Sequence, residues 1–307
     1  MERTPEEIGR MMDALDCWQA ALPYNWAVCP KGTVFPYFCT LLKGDRPEVK
    51  IRLLLLEGWQ TFHDYVRTRL DANFGVYSTP MELPHFELVV LAKEPPRVFR
   101  HDPGYIPRAL TDPERVIAAK VLWETYGFLM RVEESEPRLA MKFGDTQSMF
   151  ARVEGADGSW SDAPLAVPPP PQYVERISFP KADIAKAKDL PLATEESVEV
   201  DFRILPQVMT REKRPRCAYA LVAIDGKTGE KIVSDRVSVQ RDGGLKELWE
   251  SMPARFLSHL LARGRLPGEI RVRSGRVFRM LRPLCMQIPF KLSLHDRLPR
   301  LEEAFKV

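Results

Sequence analysis

The chain has 307 residues, of which 45% are hydrophobic and 28% are charged, as in an ordinary globular protein. A chain of this length and composition can bury a full core, which excludes a small fold held together by disulfides or metals. Single cores seldom exceed about 250–300 residues, so we expect two domains.

Nothing in the sequence predicts export or a membrane partner. The N-terminal segment MERTPEEIGRMMDAL lacks the basic and apolar regions of a secretory signal. The longest aliphatic run, Leu53–Leu56, is far shorter than the roughly 20 residues of a membrane helix. The cysteines form no CxxC pair, so we predict no metal, no cofactor and no disulfide framework. These features predict a cytoplasmic protein.

Charge is distributed unevenly along the chain. From Arg211 onward there are 21 Lys and Arg against 11 Asp and Glu, a balance of +10, whereas residues 1–210 carry 24 against 31, a balance of −7. A basic C-terminal half can bind nucleic acid or another anionic partner. It can also dock on the acidic half, which is the interpretation that we favour, and both stay open.

The N-terminal half is predicted to combine helices and strands. Thr4 can cap a first helix over residues 4–21, with Pro5 in its first turn. Thr111 and Glu114 have capping-box spacing at the start of a helix that extends to about Glu133. Buried or half-buried strands are predicted at Trp26–Val28, Val34–Leu42, Lys50–Glu57 and Phe86–Ala92, and a helix at Trp59–Leu70.

A change in composition predicts the domain boundary. Residues 154–171 are rich in Gly, Asp, Ser, Ala and Pro and end in four prolines, Pro168–Pro171. Polyproline is a stiff, extended spacer, although it can also be a ligand for a proline-recognising module. We therefore predict an N-terminal α+β domain at residues 1–153, a linker at 154–171 and a C-terminal α/β domain at 172–307.

The stretch from about Cys217 to Val307 is the part of the chain whose topology the sequence predicts most clearly. CAYALVAID and KIVSDRVSV predict two strands joined by a turn, and the rest predicts helix, strand, helix, strand and helix. Val198–Leu205 alternates like a further half-buried strand. Pro253 interrupts the first of these helices, so we expect a kink there or a restart capped by Ser251.

This order of elements resembles a ribonuclease-H-like fold, in which three antiparallel strands precede alternating helices and parallel strands. In active enzymes of that superfamily, carboxylates on the first strand, the first helix and the next strand hold two divalent metals for phosphodiester hydrolysis. The resemblance implies candidates at Asp225, at Glu247 or Glu250, and at Asp296 or Glu303. Arg273 stands where one of the carboxylates is expected, and its charge would repel a cation.

The chain as a whole is similar to a family of uncharacterised bacterial proteins built from two adjoining domains of unknown function. VKIRLLLLEGWQTFHDYV carries this resemblance in the first half, and ALVAIDGKTGEKIVSDRV, LPGEIRVRSGRVFRMLRPL and FKLSLHDRLPRLEEAF carry it in the second. The resemblance implies no activity and no catalytic residues.

Two further patterns are candidate sites. A row of arginines is predicted to point outward as an anion- or nucleic-acid-binding face: Arg271, Arg273, Arg276, Arg279 and Arg282. The dipeptides His63-Asp64, His101-Asp102 and His295-Asp296 are similar to those of metal-dependent phosphohydrolases, but too few histidines lie at ligand spacing to complete a cage.

The sequence therefore favours a non-catalytic binding or interaction protein with an unknown partner. The alternatives are a ribonuclease-H-like nuclease that uses Asp225, Glu250 and Asp296, and a nucleic-acid-binding protein.

Overall fold

The computed structural model describes residues 3–15, 21–22, 24–44, 46–70, 82–134, 141–142, 148–171, 176–209, 213–239 and 244–304. These residues form a mixed α/β protein with two mixed sheets, as the sequence predicts. The chain divides into two compact units. Unit 1 contains Met1–Leu70, Leu83–Asp102 and Pro107–Gln172, and unit 2 contains Asp71–Glu82, Pro103–Ile106 and Tyr173–Val307.

Unit 1 is built on one sheet whose strand order is β5-β4-β3-β2-β1-β7-β8, with β6 pairing with β1 at the same edge as β7. The pairs are antiparallel except β1–β7, which is parallel. The strands are β1 (Tyr24–Cys29), β2 (Tyr37–Lys43), β3 (Val49–Glu57), β4 (His85–Leu91), β5 (Arg97–His101), β6 (Met141–Lys142), β7 (Ser148–Glu154) and β8 (Trp160–Ala166).

Both faces of this sheet are covered, because apolar residues occupy both alternating positions of its central strands. On one face Trp26 stacks on Phe128 and donates its indole N–H to Thr125. On the other face Phe38 packs against Phe62. The helices that the structure describes in unit 1 include α1 (Pro5–Asp13), α2 (Gly58–Leu70) and α3 (Asp112–Glu134).

Two boundary predictions in unit 1 need correction. The first helix ends at Asp13 and not at residue 21, and the predicted continuation at 16–20 lies outside the described residues. The linker prediction is wrong for Trp160–Ala166, which form β8 and pair with β7 along its whole length. A hairpin turn around Gly158, whose φ is +81°, explains the Gly-rich composition at this point.

Unit 2 contains a five-stranded sheet of order β11-β10-β9-β12-β13. Strand β10 is antiparallel to both of its neighbours, β11 and β9. Strand β12 is parallel to β9, and β13 is parallel to β12. The elements are α4 (Lys181–Lys188), β9 (Leu192–Val208), β10 (Cys217–Asp225), β11 (Lys231–Val237), α5 (Leu245–Arg263), β12 (Leu266–Val272), α6 (Gly275–Cys285), β13 (Lys291–Leu294) and α7 (Pro299–Ala304).

Local sequence explains the helices of unit 2. Helix α5 is unbroken through Pro253, and Ser251 does not cap a second helix, because its hydroxyl donates to the Leu248 carbonyl. Helix α6 begins at a true cap, where the Ser274 hydroxyl accepts the N–H groups of Arg276 and Val277. None of the helices in the described ranges is long and apolar enough to cross a membrane.

Candidate functional site

Two of the three carboxylates predicted for hydrolysis accept backbone N–H groups, and the third is exposed. Asp225 ends β10 and accepts the N–H groups of Lys227 and Thr228 at 2.8 and 2.7 Å, and these bonds lower its pKa. Glu250 on α5 accepts the N–H of Arg176 at 2.9 Å. Asp296 is exposed after β13. Within the part of the chain that the structure describes, these three residues do not form a group of ligands.

The first strand of the sheet in chain order is β9, which lies between β10 and β12, and Asp225 lies at the end of the second strand, β10. The acidic residues of β9 that lie beside the end of β12 are Glu199 and Asp201, both 2% exposed. Strand β9 extends beyond the predicted segment Val198–Leu205 at both ends.

The end of β12 is occupied by an ion pair. The Arg273 guanidinium, which is buried, donates to the carboxylate of Glu302 on α7. Nearby, Glu199 accepts the N–H of Leu301 at 2.8 Å, and burial raises the pKa of Glu199. Arg273 thus brings a fixed positive charge to the end of β12.

The five arginines predicted to point outward differ in their exposure and in their partners. Arg273 is buried and does not point outward. Arg271 is paired with Glu269 at 2.7 Å and Arg276 with Glu82 at 2.9 Å, whereas Arg279 and Arg282 are exposed. The carboxylates that pair with Arg271, Arg273 and Arg276 in these ion pairs all belong to unit 2.

Glu82 is the centre of a polar cluster within unit 2. Its carboxylate accepts the indole N–H of Trp249 at 3.3 Å as well as the Arg276 guanidinium, which lies 3.7 Å from the centre of the Trp249 ring. Burial raises the pKa of Glu82, and burial together with the Glu82 charge raises the pKa of Tyr219 well above its usual value. Because Glu82 is far from its partners in sequence, no local pattern predicts this cluster.

Unit 1 contains a cavity of about 410 Å³ between α1, α3 and β8. Two tryptophans, Trp123 and Trp160, line it, and Trp123 is 43% exposed. The guanidinium of Arg3 lies 4.6 Å from the centre of the Trp123 ring. The other lining residues are Thr4, Pro5, Ile8, Arg115, Val116, Ala119, Lys120 and Glu124. The cavity is therefore mainly apolar and aromatic, and its charged residues are three cations, Arg3, Arg115 and Lys120, and one carboxylate, Glu124.

A second group of chemically active residues lies on strands β4 and β5. His85 and His101 face each other across the two strands, and Glu87 lies two residues beyond His85 on the same face. All three are at most 3% exposed, and each offers a ligand atom within 4.8 Å of the others. The two imidazole rings stack with centroids 4.2 Å apart. Among the described residues this is the one group with the composition of a metal site.

Charge is concentrated in this group. Arg52 on β3 pairs with Glu87, and the Nε2 atom of His101 lies 2.6 Å from Glu87 Oε2. Burial would raise the pKa of Glu87, but the hydrogen bond and charge of His101 and the charge of Arg52 bring it to about 2. Burial and the neighbouring His101 lower the pKa of His85 to about 3.

Sequence reasoning singled out His101 but missed its link to His85 and Glu87. Their meeting depends on the antiparallel register of β4 and β5, in which Val89 pairs with Arg97. The available signal was the segment His85-Phe86-Glu87 at the start of a buried strand, since two polar residues on one face of such a strand are unusual.

Comparisons with known proteins add one finding. A family described as "Domain of unknown function (DUF6930)" matches residues 183–307. The matched range begins within α4 and includes the whole sheet of unit 2 and helices α5 to α7. It does not include Glu82 or Pro103–Ile106. No curated protein matches the chain. The comparison therefore agrees with a domain of unknown function in the C-terminal half and leaves the activity to be inferred from the residues.

Proposed function

We propose that the protein is a non-catalytic binding protein whose ligand is a small organic anion with a flat apolar body. The single observation that carries this proposal is the cavity of unit 1 with Trp123 and Trp160 in its wall. Cavities of about 300–1,000 Å³ lined by apolar and aromatic side chains with a few polar groups are the usual form of small-molecule sites.

The border of the cavity defines the charge of the ligand. Arg115 is paired with Glu6 at 2.7 Å and Lys120 with Glu154 at 3.2 Å. Arg3 is exposed and lies over Trp123. A carboxylate or sulfonate can bind Arg3 while an aromatic ring enters between the tryptophans.

The probe 1-anilinonaphthalene-8-sulfonate combines these features and tests the proposal by its fluorescence. The folded wild-type protein should bind the probe, and Val116→Trp, which fills the cavity from an exposed helical position, should weaken binding at least tenfold. Arg3→Gln should weaken it about tenfold, because a charged hydrogen bond contributes about 1.5–3 kcal/mol.

Val34→Trp is the matched control, since Val34 is 95% exposed and does not line the cavity. This variant should bind the probe as the wild type does. Equal binding by Val116→Trp and Val34→Trp would place the probe elsewhere and refute the proposal.

The topology of unit 2 supports the ribonuclease-H-like fold that the sequence suggests, but the residues at the end of β12 do not support a nuclease. Three antiparallel strands followed by alternating helices and parallel strands are the arrangement that the resemblance implies. We propose that unit 2 has this fold in a degenerate form, because Arg273 pairs with Glu302 where metal ligands are needed. Nucleic-acid binding has less support, since only Arg279 and Arg282 of the predicted row are exposed.

The degenerate form predicts an absence of hydrolysis. Single-stranded DNA, duplex DNA and an RNA–DNA hybrid, each incubated with the protein in Mg²⁺ or Mn²⁺, should remain uncut on denaturing gels. Cleavage that is lost in Glu302→Gln would show that the acidic cluster is active and would favour the nuclease. Cleavage that persists in that variant would indicate a contaminating enzyme.

A further inference from the structure

We propose that His85, Glu87 and His101 form a site for a divalent transition-metal ion within unit 1. The inference is independent of the cavity described above, because none of the three residues lines it. It depends on the donor set, on the burial of the group and on the partners of each imidazole nitrogen.

The first argument concerns the free nitrogen of each histidine. Nδ1 of His85 lies 2.7 Å from the Leu83 carbonyl, which can only accept, so this nitrogen carries the proton and the neutral ring leaves Nε2 with a lone pair. Nε2 of His85 is buried and has no hydrogen-bond partner. A histidine whose second nitrogen donates to a carbonyl is the standard arrangement of a metal ligand.

His101 is in contact with a carboxylate. Its Nε2 lies 2.6 Å from Glu87 Oε2, and its Nδ1 is buried without a hydrogen-bond partner. Metal sites recurrently use a carboxylate to hold one nitrogen of a histidine while the other nitrogen binds the ion. Glu87 can therefore orient His101 or bind the metal directly.

The donor set favours a particular class of ion. Two imidazoles and one carboxylate are the protein ligands of several zinc sites and of non-haem iron sites. The candidate atoms lie within 4.8 Å of one another, whereas ligands about 2.1 Å from one ion lie roughly 3.4 Å apart in a tetrahedron. The three side chains must therefore move closer together to hold one ion.

Two features oppose binding and shape the test. The His85 and His101 rings are 13° from parallel, and since a ligating lone pair lies in the ring plane, at least one ring must turn towards the ion. Arg52, whose side chain is 19% exposed, already neutralises Glu87. Removal of that guanidinium should strengthen metal binding, because two cations then no longer share one carboxylate.

The test uses the 307-residue chain, stripped with a chelator and titrated with Zn²⁺ by calorimetry. The wild type should bind one equivalent at this site and retain it through gel filtration. His85→Gln and His101→Gln should each weaken binding at least 100-fold, and Arg52→Met should strengthen it at least tenfold. His259→Gln, which changes a half-exposed histidine of unit 2, should bind as the wild type does.

A wild-type protein that retains no Zn²⁺ after gel filtration would overturn the proposal, as would equal retention by His85→Gln and His101→Gln. If these variants do not fold by circular dichroism, the visible spectrum of the wild type with Co²⁺ decides. Intense d–d bands of a four- or five-coordinate ion support the site, and the weak bands of the hydrated ion refute it. A positive result here with no binding of the naphthalene probe would leave the metal site standing and remove only the proposed ligand function.

Discussion

Glu82→Ala should lower the free energy of unfolding of unit 2 by about 3 kcal/mol. The Glu82 side chain is 12% exposed and accepts from both Arg276 and Trp249, so alanine leaves a guanidinium and an indole N–H without their acceptor. Removal of one partner from a buried ion pair usually costs about 3–5 kcal/mol, and the 31% exposure of Arg276 places this case at the lower end. Hydrogen exchange of the β10 amides reports the opening of this unit separately from unit 1.

Glu303→Ala is the control, since Glu303 is 70% exposed and pairs with Arg300 only at the surface. It should change stability by less than about 0.5 kcal/mol. Glu82→Gln, which keeps an acceptor for Trp249 but loses the charge, should fall between the two. If the β10 amides exchange hydrogen equally slowly in Glu82→Ala and Glu303→Ala, the Glu82 cluster does not stabilise unit 2.

Gly268→Ala should destabilise unit 2 by about 3 kcal/mol through a steric clash. A Cβ atom at this position would lie 2.3 Å from the Thr194 carbonyl oxygen. That oxygen belongs to the backbone of β9 at an irregularity in its pairing with β12, so a side-chain rotation cannot relieve the contact. Chemical denaturation and hydrogen exchange of β12 measure the loss.

The opposite result is expected for Gly127→Ala in unit 1. Gly127 lies inside α3 and is exposed, and a Cβ atom added there would meet no neighbouring residue within 4 Å. Alanine is favoured over glycine by about 0.5–1 kcal/mol in a helix, so the substitution should raise stability by up to that amount. A destabilising effect of Gly127→Ala equal to that of Gly268→Ala would contradict the steric explanation.

The sequence predicted elements whose signals are local. Helix α3 begins at Asp112, and Glu114 accepts the Thr111 N–H at 2.8 Å, as the capping-box spacing indicates. Helix α1 has both bonds of such a box between Thr4 and Glu7. Caps and apolar periodicity act within a few residues, so they can be read without tertiary structure.

The sequence predicted less where pairing between distant segments decides the structure. Composition alone suggested a spacer at Trp160–Ala166, yet these residues form a strand that pairs with β7. Pattern alone turned Arg273 outward, whereas Glu302 holds it in the interior. His85 meets His101 only through strand register. Such contacts are long-range, and their partners cannot be selected from one sequence.

Because unit 2 is assembled from separate segments of the chain, a gene fragment that encodes only its C-terminal segment omits part of its core. The chain contributes to this unit in three separate stretches, and the family match begins only at residue 183. Recombination at that residue would transfer the sheet without Glu82 and without Tyr105, Ile106, Ile177 and Phe179, which pack against its core. Residues 183–307 alone would therefore lack the Glu82–Arg276 ion pair and these apolar contacts, and we expect them to be less stable than the whole of unit 2.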